Sequence, residues 1–436
     1  MTIGQPALTI GRTLFALCWV FMHSGAAQSS AVLTTLHNFT GYPIDGAGPR
    51  GLAVNDNGVL YGTTPIGGSG PCGLQSREAG CGTVFSLTPP TSAGGQWTEA
   101  VLYNFQGGGD GKNPYAAVAV GGGGVLYGTT NLGGTSDFGT VFLLSPPAGG
   151  SSEPAGSWSK AALYTFTGSS DGGYPYGGVV IGSGGVLYGT TEAGGTGTCP
   201  GGCGTVYSLA PPASTGGAWS QTVLYSFGGV SDGAGPEAGV AVGGDGTLYG
   251  TTYLGGTSNA GTVFSLTPPA SPNGSWTHAV LHTFPIGQSG PGAVAIGAGG
   301  VLYGTTAYGG AEALGTVFSL TPPLSPGGAW TDSILHSFGL SGDGALPEFA
   351  GVAIGRGGLL YGTTFRGGTS GSGTVFSMTP PASAGGSWTE TVLYDFAGDG
   401  QPSYPEAGVV VGNDGVLYGT AGGGTSDLGT VFSLRP

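Results

Sequence analysis

The amino-acid sequence predicts an all-β protein, a single closed seven-bladed β-propeller of four-stranded blades. Three observations carry that prediction. The segment Leu-Tyr-Gly-Thr recurs seven times, with its Tyr at 61, 127, 188, 249, 303, 361 and 418. Each copy leads through a Gly-rich stretch to Gly-Thr-Val-Phe or Gly-Thr-Val-Tyr, with Thr at 83, 140, 205, 262, 316, 374 and 430. Finally, 98 of 436 residues are Gly and 30 are Pro, a composition unsuited to helix interiors but compatible with many short strands and turns. Aromatic residues make up 10% and return at regular spacing, which points to a packed core rather than a disordered chain.

From the N-terminus, residues 1–27 read as a signal peptide. Arg12 precedes an apolar stretch from Leu14 to Met22, and Ser24-Gly25-Ala26-Ala27 supplies small residues for cleavage. Residues 28–436 form the repeat domain, and no later stretch approaches the roughly 20 apolar residues that span a bilayer. The chain is expected to be secreted, in the periplasm, at the cell surface or in the medium, with no membrane span. Only eight Lys or Arg stand against a formal net charge of −14, which argues against nucleic acid or anionic membrane surfaces as partners.

Each repeat holds four strand candidates separated by Gly, Pro, Asn or Asp. Small apolar runs such as Gly239-Val240-Ala241-Val242 suit the crowded strand nearest the axis. Leu-Tyr-Gly-Thr-Thr is the second strand and Gly-Thr-Val-Phe the third. A Pro-Pro turn and a Trp (97, 158, 219, 276, 330, 388) then introduce the outer strand. Its third position reads Glu99, Lys160, Gln221, His278, Asp332 and Glu390, a polar set expected of a solvent-facing edge. The chain begins with a Trp-less outer-strand copy, Leu33 to Phe39, and ends on a third-strand copy, Gly429 to Leu434. The ring should therefore close by pairing the two.

The recurring Leu-Tyr-Gly-Thr-Thr, Gly-Gly, Gly-Thr-Val-Phe-Ser-Leu-Thr-Pro pattern resembles the GloVer tandem repeat of bacterial "choice-of-anchor" exported surface proteins, over residues 32–436. The resemblance implies export and repetition and carries no established activity with it. Members typically bear a C-terminal anchoring signal. This sequence stops at Pro436 without that pattern, so retention at the surface is not expected from it.

Four cysteines follow the signal peptide. Cys72 with Cys81 and Cys199 with Cys203 each lie in a loop between the second and third strands, and are expected to be disulfides of an oxidising compartment. Two blades and no nearby His make a shared zinc site improbable. His37, His282 and His336 occupy the slot that is Tyr103, Tyr164, Tyr225 and Tyr394 elsewhere, a pattern read as packing. Asp45, Asp110, Asp171, Asp232, Asp343 and Asp399 recur in the crossovers between blades, and the crossover into blade 5 lacks one. Two readings are open: Asx turns that fix the crossover, or a ring of carboxylates at the axial mouth suited to Ca²⁺. Six equivalent copies favour the turn, so no cofactor is expected, with Ca²⁺ the alternative.

Positions that vary among otherwise constant repeats are the better guide to function. After the crossover Pro stand Arg50, Tyr115, Tyr176, Glu237, Gly292, Glu348 and Glu406; after Leu-Tyr-Gly-Thr(-Thr) stand Pro65, Asn131, Glu192, Tyr253, Ala307, Phe365 and Ala421. Both sets belong to loops on one face of a propeller. The expected ligand-binding residues are Arg50, Tyr115, Tyr176, Glu237, Tyr253, Glu348, Phe365, Arg366 and Glu406. Aromatics beside carboxylates suit a sugar, so the leading expectation is a monomeric, non-enzymatic module that binds a polysaccharide or another extracellular protein. One alternative is a polysaccharide lyase or glycoside hydrolase using Glu237, Glu348 and Glu406, since glycosidic cleavage commonly requires paired carboxylates. The other is a structural surface or matrix component.

Overall fold

The computed structural model describes residues 31–436 except 74–75, 77–78, 93, 148–157, 215, 272–273, 326, 340–341, 348–350 and 384. The expected signal peptide lies outside the described residues. Seven four-stranded antiparallel sheets form the blades of the propeller, each in the order small-apolar strand, Leu-Tyr-Gly-Thr strand, Gly-Thr-Val strand, outer strand. In blade 2 these are Ala119–Val120, Leu126–Thr130, Thr140–Ser145 and Ser159–Thr165. The inner strands are short, only two residues in six blades and three in blade 1. Both disulfides are present, Cys72–Cys81 and Cys199–Cys203.

Ring closure is as expected. Val32–Asn38 pairs antiparallel with Thr430–Arg435, from Val32 opposite Arg435 to Asn38 opposite Thr430. The register slips between Thr35 and His37, at the same place as the bulge of every other outer strand, such as that between Val101 and Tyr103 in blade 1. The N-terminal strand is therefore a full member of the seventh blade.

Two aromatic seams join the blades. The Phe that follows each outer strand packs edge-on against the ring of the next blade's Gly-Thr-Val-Phe/Tyr strand: Phe39 on Phe85, Phe105 on Phe142, and Phe166 on Tyr207, with centroids 5.0 to 5.2 Å apart. That ring lies across the Gly of Leu-Tyr-Gly-Thr. A Cβ on Gly128 would stand 2.4 Å from Phe142 Cζ, so the Gly is there to seat an aromatic ring. In the other seam, the Tyr of six of the seven Leu-Tyr-Gly-Thr copies meets the Trp of the following blade, as Tyr127 meets Trp219 and Tyr418 meets Trp97. Tyr361 faces the Trp-less N-terminal strand and packs in a cluster with Ala31 and Leu33 instead.

The outer strands correct one expectation. Their third residues do not form a free edge, because each blade leans its outer strand against the crossover entering it. Lys160 is 5% exposed and bonds Asp110. Glu99, Gln221 and Glu390 are half-buried, and His278 stacks flat on Tyr225 at 4.0 Å. Asp332 alone of the six is exposed.

Candidate functional site

The variable crossover residues converge on a cavity of about 510 Å³ at the centre of the ring, where the inner strands begin. Its wall includes Arg50 of blade 1, Tyr115 of blade 2, Tyr176 of blade 3, Glu237 and Tyr253 of blade 4, and Glu406 of blade 7. Blade 5 adds Tyr308, which sequence reasoning missed. The available signal was its place immediately after Ala307, in a loop already singled out. Glu348 falls outside the described residues.

The first Thr of each Leu-Tyr-Gly-Thr-Thr strand positions these side chains. Its hydroxyl donates across the seam to a carbonyl of the next blade's crossover, in four blades the one just beyond the site residue: Thr63 to Ala116 at 2.9 Å, Thr129 to Gly177 at 3.0 Å, Thr190 to Ala238 at 2.8 Å and Thr363 to Ala407 at 2.9 Å. A buried hydroxyl needs an acceptor, and meeting that need pins the backbone beside Tyr115, Tyr176, Glu237 and Glu406. Thr420, which precedes Arg50 around the ring, is the exception: its Oγ1 is buried without a partner among the described residues. Arg50 is fixed through its side chain instead.

The guanidinium of Arg50 forms an ion pair with Glu406 and lies 5.4 Å over the Tyr115 ring, a cation–π arrangement. Tyr115 and Tyr176 stack with centroids 4.8 Å apart and planes 12° from parallel. Burial pushes the Tyr176 phenol above its ordinary pKa, while the Arg50 charge pulls it back. Burial, with a smaller push from the nearby Glu192 carboxylate, raises the Glu237 carboxyl to about 7. The wall thus presents a flat aromatic pair, a neutralised ion pair and a carboxyl that holds its proton near neutral pH.

Not every expected residue belongs to this cavity. Phe365 and Arg366 form a second cluster with Tyr404, the guanidinium 5.1 Å from one ring and 4.7 Å from the other, and neither lines the central cavity. The strand register also corrects the alignment of blade 7. Ala421 pairs with Thr430 as Thr64 pairs with Thr83, so Gly422 takes the rim place and Ala421 lies within the strand.

The crossover aspartates do not ring the axial mouth, and none lines the cavity. They sit at the outer ends of the crossovers, where they accept backbone N–H groups: Asp45 from Thr40 and Gly46, Asp110 from Gln106, Asp171 from Thr167, Asp232 from Gly228 and Gly229, and Asp343 from Gly339 and Gly344. Asp399 makes no such bond among the described residues: it stands six residues before the crossover Pro405, where the other aspartates stand four before theirs, and its backbone is left-handed. The Tyr/His slot does more than pack, since Tyr103, Tyr164 and Tyr225 donate to these aspartates and His37 and His336 contact theirs.

A family model described as the Gloeobacter/Verrucomicrobia repeat matches residues 25–195, 74–293 and 271–436. The chain belongs to this repeat family. No curated protein sequence matches it. Among solved structures, this member of the family is similar to a Trypanosoma rangeli sialidase in complex with the inhibitor DANA, at 13% identity and a TM-score of 0.42. That likeness covers 93% of this chain and 59% of the sialidase, so the repeat chain spans less than two thirds of that enzyme. A protein of unknown function from Dyadobacter fermentans is similar at 12% identity over 92% of this chain and 99% of its own, with a TM-score of 0.42. A Trichoderma reesei carbohydrate-active enzyme of family AA12, in its iodide structure, is similar at 12% identity over 93% and 96%, with a TM-score of 0.41.

Proposed function

We propose that this repeat protein is an extracellular carbohydrate-binding module whose central cavity takes a neutral glycan segment. The observation that carries the reading is the stacked Tyr115–Tyr176 pair beside the Arg50–Glu406 ion pair in one cavity of about 510 Å³, a volume ordinary for small-ligand sites. Apolar sugar faces lie against aromatic rings, while hydroxyls exchange hydrogen bonds with the guanidinium, Glu406 and the half-protonated Glu237. Pairing of Arg50 with Glu406 removes the net charge that an acidic sugar would seek. The two disulfides accord with an oxidising, extracellular setting.

A second reading, hydrolysis within the same cavity, draws on Glu237: a carboxyl near pKa 7 next to the Glu192 carboxylate has the form of a general acid beside an ionised partner. Glu237 and Glu406, by contrast, stand on blades 4 and 7, three blades apart around the ring. The test is retention of the protein on a panel of neutral polysaccharides, with released sugars assayed in parallel. Retention that falls at least tenfold in Tyr115→Ala and Tyr176→Ala, without product, supports binding. Product release abolished by Glu237→Gln moves the assignment to hydrolysis, and retention indifferent to all three substitutions removes the cavity from either role.

A further inference from the structure

Away from the central cavity, five of the seven seams between blades share a three-part arrangement: the Tyr/His slot of one outer strand, the crossover Asp it contacts, and the third residue of the next outer strand. Identities at the two strand positions are correlated. Where the third residue is acidic the slot is His, as in His37 with Glu99, His282 with Asp332 and His336 with Glu390. Where the slot is Tyr, the third residue is not acidic: Lys160 follows Tyr103, Gln221 follows Tyr164, His278 follows Tyr225, and Leu33 closes the ring after Tyr394.

The Tyr seams explain the rule. Tyr103 donates to Asp110 at 2.8 Å, and the Lys160 ammonium contacts the same carboxylate oxygen at 2.8 Å and the Asp110 carbonyl. A cation thus occupies this place in blade 2. At the seams entering blades 1 and 6 the ammonium is replaced by a second carboxylate and the phenol by an imidazole. The ligand atoms of His37, Asp45 and Glu99, and likewise those of His336, Asp343 and Glu390, lie within 4.8 Å of one another. The imidazole nitrogens are 3.1 and 3.0 Å from the Asp oxygens, near the roughly 3.4 Å that separates ligand atoms around a tetrahedral ion bound at about 2.1 Å.

We propose that these two seams each bind a divalent transition-metal cation, of the zinc class, through one imidazole and two carboxylates. This site is independent of the glycan reading. Two features favour a metal over a protonated histidine as the neutralising group. Two carboxylates and a neutral imidazole around a dication sum to zero charge, whereas an imidazolium leaves the set at −1. Glu99 Oε1 and Glu390 Oε1 are also buried atoms without a hydrogen-bond partner among the described residues, and an imidazole already directed at the Asp leaves each without a donor. A mixed nitrogen and oxygen set suits zinc better than Ca²⁺ or Mg²⁺, which take oxygen ligands. A solvent water completes the fourth position. The seam entering blade 5 is an internal control, with His282 and Asp332 but no crossover Asp.

The test is zinc content by elemental analysis of the full chain after zinc loading and dialysis, with thermal unfolding before and after chelation. Two zinc ions per chain are expected, together with a chelator-dependent fall in melting temperature that zinc reverses. Rebuilding one seam as in blade 2, with His37→Tyr and Glu99→Lys or with His336→Tyr and Glu390→Lys, lowers the content to one. Rebuilding both removes it. If a rebuilt variant does not fold, Glu99→Gln and Glu390→Gln each give the same loss of one ion while keeping side-chain size. Fewer than about 0.2 zinc per chain in the wild type, or undiminished zinc in the Gln variants, overturns the proposal.

Discussion

Phe39→Ala tests whether the N-terminal strand bears the same mechanical role as the outer strands inside the chain. Phe39 is 0% exposed and packs with Leu52, Leu60, Phe85 and Val431, its ring 5.0 Å from Phe85 at 70°. Its backbone N–H donates to Gly429 O at 3.0 Å. Truncating a buried Phe costs about 3–5 kcal/mol through lost transfer energy and the cavity left behind. Phe227 occupies the equivalent place between blades 3 and 4, against Phe264 at 5.1 Å, and serves as the standard. Val32–Asn38 meets its partner Thr430–Arg435 from the far end of the sequence, with no hairpin turn to hold the pair together. If the strand frays in solution, Phe39 is already partly released and its truncation is cheap. If the ring closes as described, the two substitutions cost the same. Urea unfolding is the assay, because in a domain this large each kcal/mol moves the melting temperature only a few degrees. A Phe39→Ala loss below about 1 kcal/mol, beside a Phe227→Ala loss of 3–5, would refute the closure argument. Deleting residues 28–40 should then lower stability more than either, by removing the whole pairing from Val32 to Asn38.

Two further predictions concern blade 7 and the cavity. In other blades the second Thr of the motif bonds a Thr of the third strand, as Thr64 bonds Thr83 and Thr130 bonds Thr140, both at 2.8 Å; in blade 7 it is Ala421, and Thr430 Oγ1 is buried without a partner among the described residues. The reason lies across the ladder, where a Cβ on Gly46 would stand 2.3 Å from Thr64 Oγ1 but blade 7 carries Pro402 in the matching place. Ala421→Thr alone should therefore destabilise by about 1–3 kcal/mol through overpacking, and Pro402→Gly with Ala421→Thr should recover most of that loss, as read by urea unfolding. For Glu237, the folded carboxyl near pKa 7 exceeds its ordinary 4.5, so between those values the folded state holds a proton that the unfolded chain has released. Stability should fall as pH rises from about 4.5 to 7 and level off above, by no more than about 1–2 kcal/mol after solvent screening. The difference between wild type and Glu237→Gln across that range isolates the effect, and a difference that does not change with pH would contradict the burial argument.

Repetition made the fold legible in the sequence. Seven copies of one motif fixed the blade count, the alternation of small and large apolar runs fixed the strand order, and the permuted ends fixed the closure, because every blade solves the same packing problem with the same residue types. It also made Arg50, Tyr115, Tyr176, Glu237, Tyr253 and Glu406 visible, as variable side chains in an otherwise constant frame. Relations between blades were not legible, since they depend on how far each blade rotates over its neighbour. That rotation turns the outer-strand residues Glu99, Lys160 and Glu390 from an apparent edge into a seam, carries the crossover aspartates away from the mouth, and separates Phe365 and Arg366 from the cavity. A residue's place along a strand follows from a period of two. Which neighbouring blade it touches, and with what charge beside it, is decided only when the ring closes.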